Sequence, residues 1–150
     1  PYGSRAERKA QTDARRAKVQ KPVSVHAPYA IERCDSCHDT FSGQLNRTVE
    51  AGLCASCHPT MPAPTHFLHG PVAARACLQC HLPHSSQIVK LLTAEDPALC
   101  LQCHQRGDLS SPPHDTIEIT SACLLCHDPH GGNDRYFLKP TELDDGTEPG

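Results

Sequence analysis

The chain has 150 residues and a formal net charge of −3, the size of one small domain. Leu, Ile, Val and Phe together number 27, Trp is absent and 14 residues are Pro, too little apolar mass for an ordinary polypeptide core. No apolar run approaches the roughly 18 residues that a membrane span requires, so no transmembrane segment is expected.

Residues 1–25 read as a basic N-terminal arm. Arg5, Arg8, Lys9, Arg15, Arg16, Lys18 and Lys21 stand against Glu7 and Asp13, a net of +5, whereas residues 26–150 carry a net of −8. The Ala/Arg/Lys/Gln-rich stretch 5–20 predicts a longer helix. The arm lacks the interleaved aromatics of a nucleic-acid binder, so no nucleic-acid partner is expected.

Residues 26–140 are expected to form one domain organised by cysteine and histidine. All ten cysteines fall into five C-x-x-C pairs, each followed at once by His: Cys34/Cys37/His38, Cys54/Cys57/His58, Cys77/Cys80/His81, Cys100/Cys103/His104 and Cys123/Cys126/His127, numbered here as motifs 1 to 5. C-x-x-C-H is the attachment signature of c-type haem. On a helical turn residues i, i+3 and i+4 share a face, so two thiols can bond the vinyl-bearing edges of one porphyrin while the imidazole reaches the iron. Zinc sites usually combine C-x-x-C pairs in twos, and a disulfide across C-x-x-C suits one redox pair rather than five. Cysteine usage of this kind points to export.

The implied cofactors are five covalently attached haem c groups, which would take the place of a side-chain interior. The expected fold class is a multihaem cytochrome c: mostly irregular coil, short α-helices at the haem motifs, little or no β-sheet and a haem-packed core. Pro59, Pro83 and Pro129 should end the motif helices. Further helix is predicted around 86–93 and 97–105.

The motifs start at 34, 54, 77, 100 and 123, a near-constant period that marks a repeated unit. The run His26 to Cys34 matches His69 to Cys77, and His114 precedes Cys123 with one extra residue. Cys77 to His84 resembles Cys123 to His130. The chain thus reads as two and a half copies of a two-haem module. Beyond the proximal His38, His58, His81, His104 and His127, the repeat selects five distal ligands: His26, His69 and His114 upstream of motifs, and His84 and His130 trailing them. His66 is left as surplus, and the lone Met61 is the weaker axial candidate.

Chain reach restricts the pairing. At about 3.3–3.6 Å per residue, His84 cannot pass round the porphyrin held by His81 three residues away, and the same holds for His130 and His127. The simplest scheme sends His84 to His58 and His130 to His104, while His26, His69 and His114 cross over their own haems. Bis-His ligation predicts low potentials. No catalytic residues are expected, because histidines suffice to fill every iron. Asp35, Asp39 and Asp128 beside the motifs read as solvated acids.

The order H-x-P…C-x-x-C-H-x-P-H, then L-C-x-x-C-H, over about residues 26–130, resembles the doubled-CXXCH family of multihaem cytochromes c. The resemblance implies an exported electron carrier, either a soluble pentahaem donor to reductases or a subunit of an extracellular cytochrome filament. The first module departs from the pattern: Phe41 stands where a trailing His is due.

Residues 141–150 form an acidic tail with Glu142, Asp144, Asp145 and Glu148. A basic arm meeting a neighbour's acidic body makes a head-to-tail contact, and such a contact that does not close builds a filament. His26, just after the arm, would be in position to reach a neighbour's haem. The leading expectation is therefore electron transfer through five closely spaced bis-His haems, as a polymerising subunit of an extracellular nanowire that also meets redox partner proteins. The alternatives are a discrete periplasmic shuttle to a reductase or outer-membrane conduit, and a multihaem reductase with one open haem.

Overall fold

A computed structural model describes residues 4–7, 9, 21–50, 52–109, 114 and 123–140. Most of the basic arm, including residues 10–20 of its expected helix, and the whole acidic tail lie outside the described residues. At the start of the arm, Ser4 and Glu7 form a reciprocal capping box. The Ser4 N–H donates to Glu7 Oε2 at 2.6 Å and the Glu7 N–H to Ser4 Oγ at 3.3 Å, and residues 5–7 and 9 are helical. Ser-x-x-Glu is a sequence-level helix start.

From residue 21 the repeat is structural as well as sequential. Strand β1 (Ser24–Val25) leads into His26 and the single helical turn α1 (Ala27–Ala30); β2 (Phe67–Leu68) leads into His69 and α2 (Gly70–Ala73). Pro28 and Pro71 sit in the first turn, where a missing N–H costs nothing. The turns close with Ala30 N–H to His26 O and Ala73 N–H to His69 O, both at 2.9 Å. Glu32 and Arg75 then take left-handed φ values of 56° and 55°, a conformation that costs an L-residue about 1–2 kcal/mol. The chain reverses there to deliver the next cysteine.

Every motif is a single 3-10 turn: Cys34–Ser36, Cys54–Ser56, Cys77–Gln79, Cys100–Gln102 and Cys123–Leu125. The second cysteine of each motif (Cys37, Cys57, Cys80, Cys103 and Cys126) closes its turn by donating its N–H to the first cysteine's carbonyl at 3.1–3.2 Å. The prolines named above are not needed to stop it. These are tighter turns than the α-helices expected. The helices predicted around 86–93 and 97–105 shrink likewise to the 3-10 turns Val89–Leu91 and Cys100–Gln102. Left-handed φ at Lys90 and Leu91 breaks the first of them.

Two short antiparallel straps replace a sheet. Strand β3 (Ser85–Ser86) pairs with β1, with Ser24 opposite Ser86 and Val25 opposite Ser85; β4 (Gly131–Gly132) pairs with β2, with Phe67 opposite Gly132 and Leu68 opposite Gly131. Each strap sets the residues just before an upstream histidine against those just after a trailing one. Ser24 adds to the first strap, donating through Oγ to Ile88 O and accepting the Leu91 N–H.

Side chains build almost no interior. Among the described residues Val49 is the one buried hydrophobic, Ser86 the one buried polar residue, and no side chain is fully buried. Phe41 is 100% exposed and Leu125 73%. Fixing the backbone costs about 1–2 kcal/mol per residue, which one Val cannot offset. The chain expressed without haem attachment, or with the ten cysteines changed to Ser, should therefore lack a cooperative thermal transition and be digested rapidly by protease. A protease-resistant apoprotein would count against this reading.

Candidate metal centres

The five motif histidines each face one other histidine ring. His38 faces His84 with centroids 6.1 Å apart, His58 faces His26 at 6.2 Å, His81 faces His130 at 6.2 Å, His104 faces His69 at 5.9 Å and His127 faces His114 at 5.9 Å. These pairs are called sites 1 to 5, by motif. Interplanar angles are 7–20° except at site 1, where the angle is 38°. A metal–imidazole bond is about 2.0–2.1 Å; two of them, with about 1.1 Å from nitrogen to ring centre on each side, span about 6 Å. The residues present therefore fit a metal held between two imidazoles, five times over. His66 is exposed and joins no such pair. Met61 is also exposed.

The pairing differs from the expected one. His84 faces His38 rather than His58, and His130 faces His81 rather than His104. The upstream His26 and His69 face the even motifs instead of their own. Only His114 turns back on its own motif. The straps supply the reason. His26 and His84 meet across β1–β3, where the His26 N–H donates to His84 O at 2.8 Å, and His69 N–H to His130 O at 3.3 Å across β2–β4. Joined back to back, the two histidines must point to different sites. Reach forbids the trailing histidine its own haem but does not choose among the others. His26 faces a ring of its own chain, that of His58.

Backbone carbonyls orient one ring of each pair at sites 1 to 5. Nδ1 of His38 donates to Gly43 O at 2.9 Å, His81 to Lys90 O at 2.9 Å and His127 to Tyr136 O at 2.7 Å. At the even sites the bonded ring is the upstream one: His26 to Pro83 O at 2.9 Å and His69 to Pro129 O at 3.0 Å. A ring that donates from Nδ1 leaves Nε2 as its free ligand atom, the usual way in which a neighbour sets the tautomer of a metal ligand.

The odd motifs share a return loop. His38, His81 and His127 make β-bridges with Leu45, Leu92 and Leu138, and Asn46, Thr93 and Lys139 each donate a backbone N–H to the carbonyl of the second motif cysteine at 2.8–2.9 Å. The loop is four residues shorter after motif 1 than after motifs 3 and 5. The departure at Phe41 is thus a deletion of the whole strap segment, rather than a single His-to-Phe replacement. Asp39 closes the short loop by accepting the Ser42 N–H at 2.7 Å and its hydroxyl at 2.8 Å. The backbone bond, ahead of the hydroxyl, holds the Asp39 carboxyl below its ordinary pKa.

The ten cysteines differ in how far the polypeptide covers them. Cys34, Cys57, Cys103 and Cys126 are exposed, whereas Cys37, Cys54, Cys77, Cys80, Cys100 and Cys123 are half-buried. Cys57 and Cys126 are among the exposed four. Each of these two ends a lone 3-10 turn, held by Cys57 N–H to Cys54 O and Cys126 N–H to Cys123 O, both at 3.2 Å. Apolar side chains are too few to close over them.

Cysteines of successive motifs lie close enough to act on one another. Burial raises the Cys54 thiol, and neighbouring Cys77 and Cys37 raise it further; burial and then Cys103 raise Cys80. Burial likewise raises Cys100, with Asp96 and Cys80 adding to it, and pushes Cys123 up to about 12 with the help of Asp96 and Cys100. Motifs 1 to 5 are therefore neighbours in chain order. Ligand atoms of Asp96, Cys100 and Cys123 lie within 4.8 Å of one another. Asp96 there caps the motif-5 turn, taking the N–H of Cys123 on Oδ1 at 3.0 Å and that of Leu124 on Oδ2 at 2.9 Å. This link across 27 residues carried no sequence signal beyond an acid four residues before a motif cysteine, a place Glu50 holds before Cys54.

A family model described as "doubled CXXCH motif" matches residues 26–63 and 69–109, together just over half of the chain. No curated protein matches it.

His84→Ala should convert one centre in five to a high-spin ferric spectrum, while His66→Ala should leave the spectrum unchanged. Equal effects of the two would refute the pairing. Gly131→Ala should disturb sites 3 and 4 together and cost about 2–3 kcal/mol. A β-carbon at Gly131, whose φ is +152°, would run into the Phe67 carbonyl oxygen and part the strap. Thermal unfolding followed by absorbance checks both effects.

Proposed function

Because the chain belongs to the doubled CXXCH motif family, we propose that it is a five-haem cytochrome c that carries electrons along its motifs in chain order. The observation that carries this reading is the matching of every motif histidine with one non-motif histidine at 5.9–6.2 Å. A bound haem iron supplies one-electron exchange between ferric and ferrous states. The chain's residues do the rest. Ten cysteines tether the groups, the carbonyls of Gly43, Lys90, Tyr136, Pro83 and Pro129 orient ligands, and the straps hold neighbouring sites in fixed relation. With an imidazole on both sides at each site, no position is left for substrate, which favours a carrier over a reductase.

The carrier works as a polymerising subunit of an extracellular filament. The support is the charge division between a +5 arm and a −8 remainder, which suits head-to-tail association. The periplasmic shuttle is the competing form. Since the ring pairs are all within one chain, subunits would associate by charge and surface rather than by exchanging ligands. Mass spectrometry should find five porphyrins added to the polypeptide, and the reduced protein should not bind CO. Negative-stain microscopy should show uniform thin fibres that dissolve on removal of residues 1–21. Monodisperse monomer at high concentration would reject the filament, and CO binding would favour the reductase.

A further inference from the structure

Sites 1 and 3 are the same construction used twice. In each, a motif histidine donates Nδ1 to a carbonyl in its return loop, five residues on at site 1 and nine at site 3. The facing ring comes from the trailing histidine of the next odd motif. In each, that trailing histidine is tied through its carbonyl to an upstream histidine. They differ two residues before the trailing histidine, where His84 has Leu82 and His130 has Asp128.

That difference bears on the ring itself. Asp128 Oδ1 accepts the His130 backbone N–H at 2.9 Å and lies 3.4 Å from His130 Nδ1. The backbone bond holds the carboxylate in place beside the ring. The ring behind it faces His81 with planes 7° apart. At site 1 the charge is missing, and His84 instead stacks on Tyr29, centroids 4.8 Å apart and planes 25° apart. A carboxylate at the outer nitrogen of a ligating imidazole raises the basicity of the ligand. Its negative charge also favours the oxidised metal, one charge more positive than the reduced.

We infer that Asp128 is a positioning residue that tunes the central site: by holding a carboxylate against the outer nitrogen of His130, it sets site 3 at a lower reduction potential than its structural twin, site 1. The inference rests on the reading of both ring pairs as haem-iron ligands. Asp128 and His130 are both partly exposed, with relative accessibilities of 49% and 35%, so water weakens the effect without abolishing it.

The test is spectroelectrochemical titration of the intact five-haem protein. Asp128→Asn keeps an oxygen that can accept the His130 N–H and removes the charge; one of the five potentials should rise and four stay in place. Leu82→Asp installs the carboxylate beside His84; one other potential should fall. Asp128→Glu should stay closer to wild type than Asp128→Asn. Five centres that titrate unchanged in both Asp128→Asn and Leu82→Asp would overturn the inference and leave the five-haem reading standing. A wild-type protein with fewer than five titrating centres would overturn that reading, and the inference with it.

Discussion

As a five-haem cytochrome, the chain would depend for its fold on opposed imidazoles. Ordinary domains of this length are held by a shared apolar interior, and here one Val is buried among the described residues. What fixes one segment against another is the demand that each motif histidine meet a second ring from elsewhere in the chain. Four of the five pairs join different repeat segments, across intervals of 32 to 49 residues. The backbone straps are subordinate to that demand. Two residues a side cannot stand alone as a sheet, but they suffice to hold two histidines back to back once each has a partner.

This explains why the local structure is so spare. A 3-10 turn places two thiols and an imidazole with the fewest residues, and a longer helix would carry the chain away from the next site. The left-handed residues at Glu32 and Arg75 sit at matching repeat positions, as do Leu91 and Phe137. Backbone strain recurring in register belongs to the repeat rather than to any one loop.

The family, the five motifs and the coil-rich character were legible because C-x-x-C-H is a covalent requirement, visible in one dimension. The histidines that face the motifs are the five that the repeat singles out, His66 being left aside. Their partners were not legible. Chain reach excludes the nearest option for His84 and His130 and is silent on the rest, because the choice is made by straps that pair Ser-Val with Ser-Ser and Phe-Leu with Gly-Gly, too short to leave a pattern. Nor does a motif say how well its thiols are covered: Cys57 and Cys126 lie open while Cys37 and Cys80, at the same motif position, do not. Phe41 misled for a related reason: aligned without gaps, a missing four-residue segment looks like a substitution. The helices expected around 86–93 and 97–105 failed because local composition does not register the reversals that the sites impose.

The histidine crossings also govern how such a chain can change its length. Each even site is completed inside its own module, whereas sites 1 and 3 borrow from the module that follows. His114, one residue further from its cysteine than His26 or His69, folds back to finish site 5. The short loop after His38 offers no ring of its own. Duplicating the stretch from His69 to the residue before His114 would therefore lengthen the row by two centres with both ends intact, whereas adding a single motif would leave a ring unmatched. Growth by twos is built into the weave.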